Sequence, residues 1–298
     1  MYFDTAEGPV FRPPSEAQSF ILRVTIGCSH NRCTYCNMYR SVNFRIRTMD
    51  EILDQINQAR RYQNHIRRVF LADGNALVLA NEKLLEILKI LKDSFPRLQR
   101  VSCYAGPQDI LRKSTAELQQ LNEAGLKLVY YGMESGDDEV LEHVCKGVNA
   151  AQSIEAGQKI IGAGIKLSMM VILGLAGKSG SNRHAKKTAE AISAIGPNML
   201  SALTLMMYRG SELRDEYERG EFELLSPPEI MSELYNIISN IELPSDSHCI
   251  FRSNHISNYT MLAGTLPQDR EKLLSNIKSA EAELINLKEW DPYNNVER

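Results

Sequence analysis

Short apolar runs alternate, through the first two thirds of the chain, with stretches in which apolar residues recur every three or four positions. The runs are Phe20 to Ile26, Arg68 to Ala72, Arg100 to Tyr104, Lys127 to Met133, Lys166 to Leu173 and Met199 to Met207. Each has the length of a buried strand. The stretches between them read as amphipathic helices. Met49, Ile52, Leu53, Ile56 and Ala59 follow Thr48 and Glu51, which predict a capping box. Leu84, Leu85, Leu88 and Leu91 give the buried stripe of a helix starting at Asn81. Ser114 and Glu117 cap a third helix that Gly125 stops. Two more helices are expected over about 150–163 and 181–195.

Strands alternating with helices imply βαβ units and a parallel sheet. Six such units are too few for a closed eight-stranded barrel. They suit an α/β fold built as an open, partial (βα)6 barrel, assigned to residues 19–210. Pro9, Pro13 and Pro14 break any regular pattern before it, so residues 1–18 are expected to wrap the outside. After Tyr208 the rhythm changes, and 211–298 reads as a mainly helical extension that closes the barrel. Ser226, Pro227 and Glu229 mark a helix start. Cys249 to Phe251 reads as one more strand. A long amphipathic helix is expected from about Pro267 to Trp290, with Leu273, Leu274, Ile277, Leu284 and Leu287 as its stripe.

Composition adds boundaries. The 298 residues are 43% hydrophobic and 24% charged, ordinary for a chain with a full core, and the net charge of −3 provides no general basic field for a nucleic acid. Arg60, Arg61, Arg67 and Arg68 form a local basic run whose simplest role is a solvated face at a helix end. The start is polar, without the apolar run of a signal peptide, and no apolar stretch has membrane-spanning length. The chain is therefore expected in the cytosol, where thiols stay reduced and bind metal rather than pair.

Three of the six cysteines, Cys28, Cys33 and Cys36, fall within nine residues where the first apolar run ends. Thiolates are soft ligands, and three on one loop can converge on one metal centre. Three do not complete a four-thiolate site. Either a fourth ligand comes from elsewhere, His30 being near, or one position stays open, as in an iron–sulfur cube with three cysteine ligands. Zinc and unpaired structural thiols are the alternatives. Cys103, Cys145 and Cys249 are scattered and read as small core or surface residues.

The C-x4-C-x2-C loop, with Tyr35 before its last cysteine, resembles the cluster loop of radical SAM enzymes. It is one residue longer between the first two cysteines than the commonest form. The resemblance covers about 20–208, and the whole chain is similar to members grouped with the Elongator catalytic subunit and the oxygen-independent coproporphyrinogen oxidases. It implies a 4Fe–4S cluster on Cys28, Cys33 and Cys36. The amino and carboxylate groups of S-adenosylmethionine would chelate the free iron. One electron would then break the sulfonium bond, giving methionine and a 5′-deoxyadenosyl radical. A low-potential electron donor, a flavodoxin or ferredoxin, is the implied partner. The substrate is not identified; a ring decarboxylation and a sulfur or methyl transfer both stay open.

Ligands of parallel β/α folds bind at the carboxyl ends of the strands, and polar or glycine residues gather there. Asp73-Gly74-Asn75 follows the second strand, in the place of the superfamily's Gly-Gly-Glu motif, which holds the ammonium group of S-adenosylmethionine; it is also good turn chemistry. Gly132-Met133-Glu134-Ser135-Gly136 resembles the Gly-x-Glu-Ser-Gly after strand four, whose acid contacts the cofactor. Glu134 can accept from a ribose or an amino group; a helix N-cap built on Ser135 and Asp137 is the plainer reading. Val171-Ile172-Leu173-Gly174 resembles the adenine-side motif, and the strand containing Met206 can offer backbone hydrogen bonds to adenine. Tyr35 can pack on that ring or serve as a core aromatic. Last, Phe251 to Tyr259 is dense in hydrogen-bonding groups. If its strand closes the open side, Arg252 and His255 can face the cavity as a carboxylate or phosphate clamp and a proton carrier. Otherwise it is a polar surface loop.

Overall fold

The computed structural model describes residues 8–285. The elements in chain order are β1 (Phe20–Arg23), β2 (Thr25–Ile26), β3 (Arg45–Ile46), α1 (Met49–Ala59), β4 (Arg68–Ala72), α2 (Asn81–Ser94), β5 (Arg100–Ala105), α3 (Pro107–Arg112), α4 (Thr115–Ala124) and β6 (Leu126–Glu134). There follow α5 (Asp138–His143), α6 (Ala150–Gly162), β7 (Lys166–Leu173), α7 (Gly177–Ile195), β8 (Met199–Thr204), α8 (Glu212–Glu218), α9 (Pro227–Asn240), β9 (Cys249–Ser253), β10 (Leu262–Leu266) and α10 (Arg270–Ile285). The order β1-β4-β5-β6-β7-β8-β9-β10 makes an eight-stranded, mostly parallel sheet, with β2 and β3 as a separate ribbon. The fold class is α/β, as the alternating pattern requires.

Local chemistry sets the ends. Thr48, Ser114 and Ser226 each close a capping box with the glutamate three residues on. The first apolar run does not stay one strand. At Val24 the chain leaves the sheet, its N–H going to the Ala72 carbonyl (2.6 Å) while its own carbonyl accepts from Arg47 (3.1 Å). Thr25 and Ile26 then pair antiparallel with β3. β8 stops at Thr204, short of Met206. Asn258 Oδ1 takes the Thr204 N–H and hydroxyl (2.8 and 3.0 Å), and Asn258 Nδ2 donates to the Ala202 carbonyl (2.9 Å). β9 gains an antiparallel partner, β10, that the single expected strand did not foresee. Residues Leu273, Ile277 and Ala280 bury the face of α10; Leu287 and Trp290 lie outside the described residues.

The chain divides into two compact units. The first comprises the residues up to Asn31, Met38–Tyr131 and Ala156–Leu167. Within it β1, β4, β5 and the start of β6 pair in parallel, covered by the buried Ile52 and Ile56 of α1, Leu84, Leu88 and Leu91 of α2, and Leu118 and Leu121 of α4. Most of residues 8–18 are exposed, while single side chains turn inward. Glu16 is fully buried, accepting from Tyr130 Oη at 2.7 Å and Arg100 Nη2 at 2.6 Å. A buried carboxylate needs such partners, and these draw the 14–16 turn inward.

The second unit comprises Arg32–Asn37, Gly132–Glu155 and the residues from Ser168 on. In it β7, β8 and β9 are parallel, and α9 packs against α7 and α10. No helix among the described residues is long and apolar enough to cross a membrane.

Candidate functional site

In the first unit, β4 turns at Asp73-Gly74-Asn75 against the start of the cysteine loop. Asp73 is fully buried, and its Oδ2 accepts from Arg23 Nη2 (2.6 Å), Arg23 Nε (3.2 Å) and the Gly27 N–H (3.1 Å). Burial pushes its carboxyl pKa above the ordinary value even though Arg23 pulls the other way. The Gly74 N–H donates to the Gly27 carbonyl at 3.1 Å. A Cβ on Gly74 would stand 3.0 Å from Cys28 Cβ and 3.1 Å from its Cα. Only glycine permits that approach. In the loop Asn31 takes a left-handed φ of 46° and ties Nδ2 to the Tyr39 carbonyl (2.9 Å), a conformation asparagine tolerates. The longer spacing is accommodated there.

Asn75 spends its amide donors on Ser29 Oγ (3.0 Å) and on Asp109 Oδ2. Asp109 was not a sequence candidate. The other oxygens, Asp73 Oδ1 and Asn75 Oδ1, are buried and accept no hydrogen bond. Leaving a buried acceptor unmet costs about 1–3 kcal/mol. Two at one turn call for a ligand that brings its own N–H donors.

In the second unit, the segment of Cys33 and Cys36 is pinned on both sides. The Thr34 N–H donates to the Val144 carbonyl (3.1 Å), its carbonyl accepts from Leu213 (3.1 Å), and Asn37 Nδ2 donates to the Arg209 carbonyl (2.6 Å). Tyr35 packs against Val140, Val144, Leu175, Met207, Leu213 and Phe222, the core-aromatic placement, with its hydroxyl on Glu134. Burial first, then Glu134, Cys33 and Cys36, hold its phenol well above the ordinary pKa. Glu134 ends β6 with φ 68°, a region costly for any side chain but glycine. Its carboxylate folds back over Gly132, where a Cβ would lie, and meets Lys146 Nζ at 2.9 Å in a nearly buried pair. Lys146, just past α5, was missed because nothing local marks it.

Ser135 is fully buried and turned inward, its Oγ 2.8 Å from His184 Nδ1 and accepting from the Asp137 N–H (3.0 Å). Asp137 is the N-cap of α5. His184 Nε2 faces the Ile172 carbonyl at 3.2 Å, which assigns the proton to Nε2 and the acceptor role to Nδ1. Gly174 adopts φ 79°, and its N–H is taken by Glu233 Oε1 of α9 at 2.7 Å. Met206 lies beyond β8, its Sδ accepting from Tyr208 Oη (3.3 Å). Arg252 sits opposite Ser201 and Ala263, on the face of β9 away from the buried Cys249, Phe251 and Ser253. Its Nη1 bonds the Phe251 carbonyl at 2.7 Å. His255 is half-buried, its Nδ1 accepting from the Ser257 N–H (3.2 Å) beside the Ser257 hydroxyl (2.8 Å).

The three loop thiols are partly exposed, whereas Cys103 and Cys249 are buried, and burial pushes both of the latter up to about 12, so they are inert core residues. Among the described residues no three His, Cys, Asp or Glu side chains are gathered tightly enough to hold a metal ion. The cysteine ligand set rests on the motif and on kinship.

That kinship is direct. The sequence pattern of the radical SAM superfamily matches residues 22–190, more than half of the chain. The chain belongs to the radical SAM superfamily. The heme chaperone HemW of Bacillus subtilis (strain 168) is 24% identical over 224 residues, 71% of this chain and 56% of that protein. The chain thus spans little more than half the length of that relative. Among solved structures, Elp3 of Methanocaldococcus infernus superposes with a TM-score of 0.51 at 17% identity, covering 78% of this chain and 58% of that one. Methylornithine synthase (PylB) superposes with a TM-score of 0.53 at 15% identity, covering 88% and 83%. At such identities the superpositions establish a shared fold.

Proposed function

We propose that this radical SAM protein holds a 4Fe–4S cluster on Cys28, Cys33 and Cys36 and binds S-adenosylmethionine beside it. Bound together, the two groups supply one-electron cleavage of the sulfonium bond and a 5′-deoxyadenosyl radical; the hard chemistry is theirs. The observation that carries the reading is the pair of buried, unmet acceptors Asp73 Oδ1 and Asn75 Oδ1 on the turn that packs on Cys28. They suit the N–H groups of an amino group, which donate and need acceptors.

Glu134, paired with Lys146 at 2.9 Å, offers an acceptor for a ribose or an amino group. Gly174 has its N–H committed to Glu233 and its carbonyl accepting from the Gly177 N–H (3.1 Å), so what it offers a neighbouring ligand is close backbone approach at φ 79°. Arg252 and His255 are reserved for the substrate, which is not named. A flavodoxin- or ferredoxin-like donor supplies the electron.

The test is anaerobic reconstitution with iron and sulfide, followed by dithionite and S-adenosylmethionine. The expected outcome is visible absorbance of a thiolate-bound iron–sulfur cluster and formation of 5′-deoxyadenosine. Cys33→Ala should lose both. Zinc in place of iron, or a cluster that leaves the sulfonium intact, would sink the reading.

A further inference from the structure

The sheet of the second unit has two unlike faces. Val171, Leu200 and Phe251, on one of them, are at most 1% exposed. On the other, the register sets Met170, Ser201, Arg252 and Ala263 in one row across β7, β8, β9 and β10. Met199 and Ile250 stand side by side in the row below, Ile172 and Leu203 in the row above. None of these side chains is buried, and Ile250 is 41% exposed. Strands paired in parallel are ordinarily covered on both faces, and an open apolar face marks a binding surface. Resting on the radical SAM reading above, we propose that this face holds the substrate, a carboxylic acid with an apolar body, and that Arg252 binds its carboxylate.

The guanidinium is anchored on one side only. Its Nη1 donates to the Phe251 carbonyl at 2.7 Å and lies 3.5 Å from that of Gly264. That leaves the Nε–Nη2 edge, whose two parallel N–H groups match the two oxygens of one carboxylate. Among the described residues the hydrogen bonds of Arg252 go to those two carbonyls and to no carboxylate. Its neighbours across the row, Ser201 and Ala263, are small and leave room beside it. The charge count selects the anion. Arg252 is the only Lys or Arg in the three rows among the described residues, which matches a carboxylate but falls short of the charge of about −1.5 to −2 on a phosphate ester. The Met, Ile and Leu side chains above and below it select an apolar body. The middle row spans about 14 Å, from the inter-strand spacing of a sheet, which suits a chain of medium length.

Isothermal titration calorimetry of the reconstituted full chain tests this with probes of one length: octanoate, 1-octanol and octyl phosphate. Octanoate should bind about tenfold tighter than octanol, the usual gain from charge-assisted hydrogen bonds, and tighter than octyl phosphate. Arg252→Gln should remove the margin over octanol, and Arg252→Lys, which keeps the charge without the fork, should retain part of it. Ile250→Ser should weaken octanoate and octanol alike, by about fivefold. The proposal is overturned if wild type binds no octanoate, if octanol binds as tightly, if octyl phosphate binds more tightly, or if R252Q keeps the preference. A wild-type dimer in sedimentation that R252Q dissolves would give the face to a second copy and overturn it too. Wild type that forms 5′-deoxyadenosine but binds no octanoate sinks this inference alone. Arg252-dependent binding of octanoate without any 5′-deoxyadenosine sinks the functional reading and leaves the binding site standing.

Discussion

Gly74 shows how narrow the tolerances are around Cys28. A methyl group there meets the Cys28 backbone and Cβ at 3.0–3.1 Å, and backbone does not yield as a flexible side chain does. Gly74→Val should therefore displace the cysteine loop, and reconstitution should return a protein whose iron content and visible absorbance fall well below wild type. Gly162→Ala, at a glycine of α6 with nothing within 4 Å of the built Cβ and no left-handed φ, serves as a control for general glycine loss. Lys146 is the counterpart in the second unit. Its removal leaves the Glu134 carboxylate nearly buried beside Tyr35, without its cation. Breaking such a pair costs on the order of 3 kcal/mol, so Lys146→Met should lower the urea midpoint with an unchanged slope. Glu134→Gln together with Lys146→Met should regain much of that loss, because no unpaired charge remains. The sequence exposed Glu134, since an acid after an apolar strand is conspicuous, but not Lys146 or Asp109. Their partnerships span twelve and thirty-four positions and have no local signature.

At the scale of elements, legibility followed length and capping. Arg68–Ala72 and Lys166–Leu173 are strands of mostly buried residues, and three of the helices announce themselves through capping boxes. What escaped was short. The β2–β3 ribbon has two residues a side, and α3, α5 and α8 last barely two turns, too little for a period to register. The end of β8 was set by Asn258, which no property of β8 itself foretells. Glu51 ties two of these scales together: it closes the α1 capping box and pairs with Arg45 of β3 at 2.6 Å. Arg45 holds its carboxyl pKa down to about 2. A depressed carboxylate pKa gives stability that is complete above the unfolded value of about 4.3 and is lost as pH falls toward 2. The pair is partly exposed, so Glu51→Gln should cost about 1 kcal/mol at pH 7. The gap to wild type in urea melts should narrow below about pH 4 and close only as pH reaches about 2; a gap constant across that range would show the charge to be idle.

At the scale of the molecule, the C-terminal region contributes more than cover. Glu233 of α9 is almost fully buried, and its carboxylate accepts from the Gly174 N–H at the end of β7 and from Ser181 of α7, 3.7 Å from His184 Nε2. His184 in turn holds Ser135 at the end of β6. One side chain from the extension thereby fixes two strand ends that the sequence singled out as candidate ligand loops. Pattern alone revealed the loops because glycine and acid residues mark strand ends, while the device that positions them depends on how α9 packs against α7. Glu233→Ala should strand the Gly174 N–H and the Ser181 hydroxyl and cost about 2–4 kcal/mol. The size of the loss does not by itself identify a positioning role. Glu233→Gln does, since its Oε1 still accepts from Gly174 while its amide cannot accept from Ser181. In thermal melts E233Q should lie between wild type and E233A, and in dialysis it should bind S-adenosylmethionine less tightly than Ser181→Ala, which removes the competing donor. If E233Q and S181A bind alike and as tightly as wild type, α9 is packing only, and the two strand ends hold their shape without it.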